Sequence, residues 1–289
     1  MKKKVFLFGL LFSLLLLCGC GVNLTSTVKL NKDFSGTRVM SCTFSSRDFH
    51  SYFKGSKEDL NKLIKESCPD ALTYTSSSSD GNDTYTFYLR FSSLDDYKKK
   101  VRDLLNFSPE ITYEYGDSPF VSGLIYKENF TSKDLMTWLY TALYEGKYID
   151  KDSSSDLWDL KSTEISFLGT TYETKDKINI DEMAYVPLSS IHIDTKTKKS
   201  GKLARVIEFD LPQQTLDQNA GKIRSYFAGN DITWENTSDG KTLCISFDAN
   251  NFSDLAQKTR TVLHSKNSFG TYSSTCSKDN PFTLKINYE

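Results

Sequence analysis

The chain has 289 residues, of which 25% are charged, and its 36 basic side chains nearly balance 37 acidic ones, for a formal net charge of −1. That balance argues against nucleic acid as a partner, which would call for a clustered basic face. The length suits one large domain or two ordinary ones, and the abundance of Tyr, Phe and Thr favours strands.

The first element is an address. Lys2, Lys3 and Lys4 form a basic start, and residues 5–17 are an apolar or small-residue run with the length of a signal-peptide core. Leu17-Cys18-Gly19-Cys20 follows. It resembles the bacterial lipobox, in which an aliphatic residue at −3 and a small residue at −1 precede the cysteine that receives a diacylglyceryl group. The resemblance implies that residues 1–19 are removed and that Cys20 becomes a lipidated N-terminus. Two acyl chains bury enough methylenes, at ~0.8 kcal/mol each, for slow release from a membrane. Cleavage takes away three lysines and no acid, which moves the formal charge from −1 to −4. The expected location is the extracytoplasmic face of the cell membrane.

The mature chain then presents the same order of features twice. Residues 20–130 and 188–289 each read β-β-α-β-β-α-β-β. Ser26 and Val28 match Ile191 and Ile193, and Met40, Cys42 and Phe44 match Arg205, Ile207 and Phe209. Each copy continues with a helix at apolar spacing 3 or 4: Leu60, Leu63, Ile64 and Cys68 against Leu216, Ala220, Ile223 and Phe227. Asp80-Gly81 and Asp239-Gly240 are hairpin-turn dipeptides. The strands after them alternate Phe87, Leu89 and Phe91 against Leu243, Ile245 and Phe247. A second helix sets Tyr97, Val101 and Leu104 against Leu255, Thr259 and Val262. Strands joined by short turns predict mostly antiparallel sheets, and helices with one apolar stripe predict that they cover one sheet face. The fold class is α+β with two similar modules; one continuous sheet shared by both copies stays open.

Residues 131–187 form the connector. Ser132-Lys133-Asp134 opens a predicted helix with Leu135, Trp138, Leu139, Ala142 and Leu143 on one face and Gly146 past its end. Residues 150–156 read as an exposed acidic, serine-rich loop, and residues 165–172 and 178–186 as a hairpin.

At the start of the mature chain, alternating Val22, Leu24, Ser26, Val28 and Leu30 run into Asn31-Lys32-Asp33-Phe34-Ser35-Gly36 and a second strand. This arrangement, directly after the lipobox cysteine, resembles uncharacterised clostridial-type surface lipoproteins and, more distantly, the LppM-type lipoprotein domain. Members of the latter open with a strand, an N-K-D-G-S-G-like turn and a strand. The likeness covers residues 16–45. Phe34 departs from the usual glycine, and a C-terminal membrane helix common in such proteins has no counterpart at residues 285–289, which read as a strand. The resemblance implies an envelope protein that contacts lipid or glycolipid and is not an enzyme.

The remaining chemistry is sparse. His50, His192 and His264 are the three histidines, and none is spaced with another as metal ligands. No Gly-x-Ser-x-Gly, P-loop or Rossmann glycine pattern occurs. Asp95/Asp96 and Asp181/Glu182 are adjacent acids of the kind that serve helix dipoles and solvent. No cofactor or metal is expected. Besides Cys20 and the cleaved Cys18, four cysteines remain. Cys42–Cys68 and Cys244–Cys276 are the expected disulfides, with buried free thiols as the other reading of Cys42 and Cys68. Trp138, Tyr140 and Tyr144 on one helix, and Tyr113 and Tyr115 on a strand, read as core and sheet packing, with a glycan- or protein-binding face as the alternative. The expected function is that of a membrane-anchored, non-catalytic interaction or structural module with an envelope protein, lipid or glycan partner. A lipid- or glycolipid-binding lipoprotein is the second reading and an envelope hydrolase the third.

Overall fold

The structure, a computed structural model, describes residues 22–46, 53–150 and 157–264 and two short strands at 273–276 and 284–287. Cys18, Cys20 and His50 lie outside the described residues, as does the side chain of Cys276. Elements run β1 (Val22–Leu30), β2 (Gly36–Ser45), α1 (Lys57–Ser67), β3 (Thr73–Ser79), β4 (Asn82–Phe91), α2 (Leu94–Leu105), β5 (Ile111–Asp117) and β6 (Val121–Glu128). Next come α3 (Ser132–Leu135), α4 (Thr137–Glu145), β7 (Trp158–Phe167), β8 (Thr170–Thr174), β9 (Asn179–Asp181) and β10 (Ala184–Tyr185). The chain continues with β11 (Ser190–Thr197), β12 (Leu203–Pro212), α5 (Gln213–Tyr226), β13 (Asp231–Asn236), β14 (Gly240–Ala249), α6 (Phe252–Val262), β15 (Ser273–Cys276) and β16 (Leu284–Asn287). The fold is α+β with mostly antiparallel sheets.

The chain divides into two compact units, Met1–Tyr115 with Leu124–Glu182, and Gly116–Gly123 with Met183–Glu289. The expected divisions at 130/131 and 187/188 therefore move. The connector as far as Glu182 joins unit 1, while the tip of the β5–β6 hairpin joins unit 2.

Unit 1 is built on a six-stranded sheet in the order β3-β4-β2-β1-β7-β8. Only β1–β7 is parallel; the other ladders are antiparallel. The alternation in β2 turns Arg38, Met40, Cys42 and Phe44 inward. Ser41 meets Thr86 and Thr43 meets Thr84 through hydroxyl pairs of 3.1 and 3.0 Å on the other face. Ser56 caps α1 in a reciprocal box with Asp59, and its apolar stripe buries Leu60 and Ile64. Ser93 caps α2, which buries Tyr97, Val101 and Leu104 and ends at Asn106 in the left-handed region (φ 58°). These side chains form one core with Leu24, Val28, Phe87 and Leu89.

The connector differs from its sequence reading. A single helix becomes α3 and α4, broken at Met136, and α3 is capped by Thr131 in a box with Asp134. Gly146 is right-handed (φ −69°), and Lys147 takes the left-handed position (φ 63°). β7 pairs with β8 through Leu168-Gly169, both at positive φ, and adds two strands to the sheet of unit 1. Residues 165–172 and 178–186 do not pair with each other as the expected hairpin, since Ile165 and Tyr172 are themselves partners across the β7–β8 turn. β9 and β10 both pair with β6.

Phe34, where the resembling proteins carry glycine, sits at φ 61°. The left-handed region costs an L-residue roughly 1–2 kcal/mol that glycine does not pay. Its ring offsets that cost: it is 1% exposed, with ring centroids 4.7–5.6 Å from Tyr113, Phe91, Tyr97 and Tyr126.

Unit 2 repeats the sheet order as β13-β14-β12-β11, with α5 after β12 and α6 after β14. The ladder registers match those of unit 1 two residues away from the sequence comparison. Arg38 lies opposite Val28 and Leu89, and Arg205 opposite Thr195 and Phe247. Lys100 donates to the Arg90 carbonyl and Lys258 to the Asp248 carbonyl, both at 2.8 Å. Arg205 therefore corresponds to Arg38, and not to Met40. A strand has period 2, so a slip of two residues keeps every apolar side chain on its face and leaves the hydrophobic pattern unchanged. The Asp239-Gly240 turn also differs from Asp80-Gly81, because neither of its residues has positive φ. Gly240 instead answers close approach, since a Cβ there would lie 2.0 Å from the Leu211 carbonyl oxygen.

Candidate functional site

Unit 1 carries an open groove of about 700 Å³ where three helices end. Leu63 and Ser67 come from the last turns of α1, Leu104 to Phe107 from the end of α2, and Thr137, Trp138, Thr141, Ala142, Glu145 and Gly146 from α4, with Asp134 of α3. Local sequence explains the convergence. Pro69 stops α1 by forcing the preceding residue out of the helical region. Asn106 stops α2, and the Ala142 carbonyl accepts from the Gly146 N–H at the end of α4. Trp138 packs its ring edge-on against Phe87 (5.4 Å) beside the groove, and Phe107 stands 46% exposed at its margin.

Leu63, Leu104, Leu105, Trp138 and Ala142 line the groove together with Glu145, while the Asp134 carboxylate accepts the Thr131 N–H and hydroxyl in the α3 cap. Helix C-termini carry partial negative charge. Both features suit an apolar side chain next to a basic one. A smaller hollow of about 430 Å³ lies among β7, β8 and β9, lined by Ile165, Tyr172, Lys177, Ile180 and Glu182 among others. There Tyr172 donates to Glu182 (3.0 Å), while Asp181 pairs with Lys127 (2.6 Å).

Beneath the sheet lies a polar network that sequence reading did not find. Arg38 donates to Tyr97 Oη (2.6 Å), Glu128 Oε2 (2.8 Å) and Ser132 Oγ (3.0 Å). Tyr97 (2.7 Å) and Tyr126 donate to Glu128 Oε1. All five residues are buried. Burial opposes the charge on Arg38, but Glu128, with Tyr97 and Tyr126, outweighs it and holds the guanidinium above its ordinary value. Burial, reinforced by Glu128, pushes the Tyr126 hydroxyl well above its usual range. The sequence signal was an arginine at an inward position of an alternating strand. Enclosure in the core makes the network a structural device rather than a binding site.

The expected cysteine pairing is not formed. Cys42, Cys68 and Cys244 are free thiols. Cys42 is fully enclosed, and burial pushes its thiol up. Cys68 leaves the inward stripe because α1 ends at Ser67 and Pro69 holds Cys68 extended (ψ 122°), with Sγ 3.9 Å from the Pro69 carbonyl. Burial and Asp70 raise its thiol. Cys244, on the face opposite Leu243 and Ile245, is nonetheless 7% exposed, between the register partners Glu208 and Thr233.

The other candidates are dispersed. His192 lies 3.1 Å from Ser190 Oγ on β11, and His264, just past α6, lies 2.8 Å from the Tyr226 carbonyl. Asp96 accepts the Ser92 N–H at the start of α2, which lowers its carboxyl below the usual range, helped by Lys100. Among the described residues no group of three or more His, Cys, Asp or Glu side chains could hold a metal ion. Likewise, among those residues no helix is long and apolar enough to cross a membrane. Tyr113 and Tyr115 pack on Phe34 and Phe167, and Tyr140 stacks on Tyr144 at 6.3 Å. No protein-family model and no curated protein matches this sequence.

Proposed function

We propose that the protein is an extracytoplasmic lipoprotein, anchored through Cys20, that holds a polypeptide partner near the membrane in the three-helix groove of unit 1. The observation that carries this reading is where the core begins. Val22, two residues after the lipobox cysteine, is 1% exposed and donates its N–H to the Leu157 carbonyl at 2.7 Å. An acylated Cys20 would hold unit 1 against the bilayer with no spacer, which suits presentation at the surface better than reach into the medium. The groove supports a binding role through its apolar lining and the Glu145 carboxylate. The carboxylates Asp96 and Asp254 are spent on capping helices, which supports a non-catalytic role.

Two measurements on the full chain in its host membrane test the reading. Metabolic labelling with a clickable fatty acid is expected to mark the protein and to miss Cys20→Ala; equal labelling of both sinks the anchor. A photo-crosslinking residue in place of Phe107 is expected to trap protein adducts that diminish when Trp138→Ala is added. Adducts with lipid alone would transfer the groove to the lipid-binding reading.

A further inference from the structure

β11 is an edge strand whose only neighbour among the described residues is β12. Its positional counterpart in unit 1, β1, is paired on both sides, with β2 antiparallel and β7 parallel. The consequence is visible in burial. Leu24 and Ser26 of β1 are 0% and 4% exposed, while Ile191 and Ile193, at the matching places on β11, are 51% and 52% exposed. Two half-exposed isoleucines on an unpaired strand of eight residues make a template for strand addition.

The backbone of β11 states which residues offer that edge. Lys198 donates to the Lys202 carbonyl at 2.7 Å across the β11–β12 turn. Bonded pairs alternate along an antiparallel ladder, so Lys196, Asp194 and His192 turn their N–H and C=O groups toward β12. Ile191, Ile193 and Thr195 turn theirs to the open side. On the side-chain level, Ile191, Ile193 and Thr195 share one face and Ser190, His192, Asp194 and Lys196 the other.

We propose that this edge is a self-association surface, on which the β11 of a second copy pairs antiparallel about a two-fold axis at Ile193. Within one copy Asp194 pairs with Lys196 (2.8 Å) and His192 lies 3.7 Å from Asp210, so this face of β11 alternates in character and a second copy of β11 can meet it with unlike groups opposed. Centred on Ile193, the outward groups of Ile193 bond their own symmetry mates and those of Ile191 bond Thr195. His192 of each copy then faces Asp194 of the other. A shift of the axis by one residue toward the C-terminus sets Asp194 against Asp194, and cross-strand like charges are unfavourable. The isologous arrangement is self-complementary, as a two-fold interface requires. One strand pair is a small interface, and confinement of both copies to a membrane would raise their effective concentration. The surface belongs to unit 2 and does not depend on the groove.

The test is cysteine crosslinking of the full chain in membranes. Ile193→Cys is expected to give a covalent dimer under mild oxidation, because the axis places the two thiols together. Thr197→Cys, on the same edge but far from its symmetry mate, is expected to give none. Adding Asp194→Lys to Ile193→Cys should lower the dimer yield roughly three- to tenfold, from the loss of two cross-strand pairs. Adding His192→Asp as well should restore it by exchanging the charges. Equal crosslinking at 193 and 197, which signals random collision, overturns the proposal, and so does absence of a dimer at 193. Failure of the charge exchange to restore the yield overturns the register.

Discussion

Arg38 and Glu128 form an ion pair 2.8 Å long whose side chains are 1% and 0% exposed. Removing one partner from a buried pair strands the other charge and costs about 3–5 kcal/mol, whereas removing both leaves no uncompensated charge. Arg38→Met is therefore expected to destabilise unit 1 by that amount in denaturant unfolding, and the double variant with Glu128→Met by clearly less. Arg205 has a different environment. Among the described residues it donates to the hydroxyls of Thr195 (3.0 Å) and Thr259 (2.8 Å). Thr259 already donates to the Leu255 carbonyl. Arg205→Met should leave stability within about 1 kcal/mol of the parent or raise it. Equal losses at the two arginines would contradict this account.

Phe34 offers a second test because strain and packing act in opposite directions there. Loss of a buried phenylalanine side chain costs about 3–5 kcal/mol, and glycine regains the roughly 1–2 kcal/mol of left-handed strain. Phe34→Gly is expected to destabilise by about 1–4 kcal/mol, and Phe34→Ala by more than Phe34→Gly. The comparison of the two midpoints isolates the backbone contribution. If alanine is no worse than glycine, the turn is not strained.

The legible parts of this fold were those written in a local period. Helices α1, α2, α5 and α6 were readable from apolar spacing; the caps of α2 and α6 are Ser93 and Asn251, whose side chains accept from the Asp96 and Asp254 N–H groups. The parallel pairing of β7 with β1 was not, because Trp158 and Val22 are partners across more than a hundred residues of chain and no local signal specifies them. The strand registers were hidden for the reason that period 2 tolerates a slip of two. Inward-pointing Arg38 was the marker that could have fixed them. Cys68 was misplaced by following an apolar stripe to the residue that Pro69, next in the chain, holds out of the helix. The groove was invisible in sequence because three separate chain segments meet there through their helix ends.

The free thiol of Cys42 leads to a prediction about alkaline pH. Burial raises its pKa in the folded chain, so the native state keeps a proton that the unfolded chain releases near pH ~8.5. Below that pH the contribution to stability is complete. Above it the unfolded state binds fewer protons than the native one, and stability falls by up to ~1.4 kcal/mol per pH unit for each such thiol. Cys68 and Cys244 are raised in the same direction with less enclosure, and the buried hydroxyls of Tyr97 and Tyr126 extend the loss at higher pH. Between pH 8.5 and 9.5, below the ordinary tyrosine range of ~10, Cys42→Ala is expected to flatten the stability profile relative to the parent. Alanine lowers the whole curve by truncating a core side chain, so the slope and not the height is the readout. Reaction with a thiol reagent should modify Cys42 only as the chain unfolds. An unchanged slope, or a Cys42 thiol that reacts as fast in the native chain as in denaturant, would show that the side chain is not held neutral inside the core.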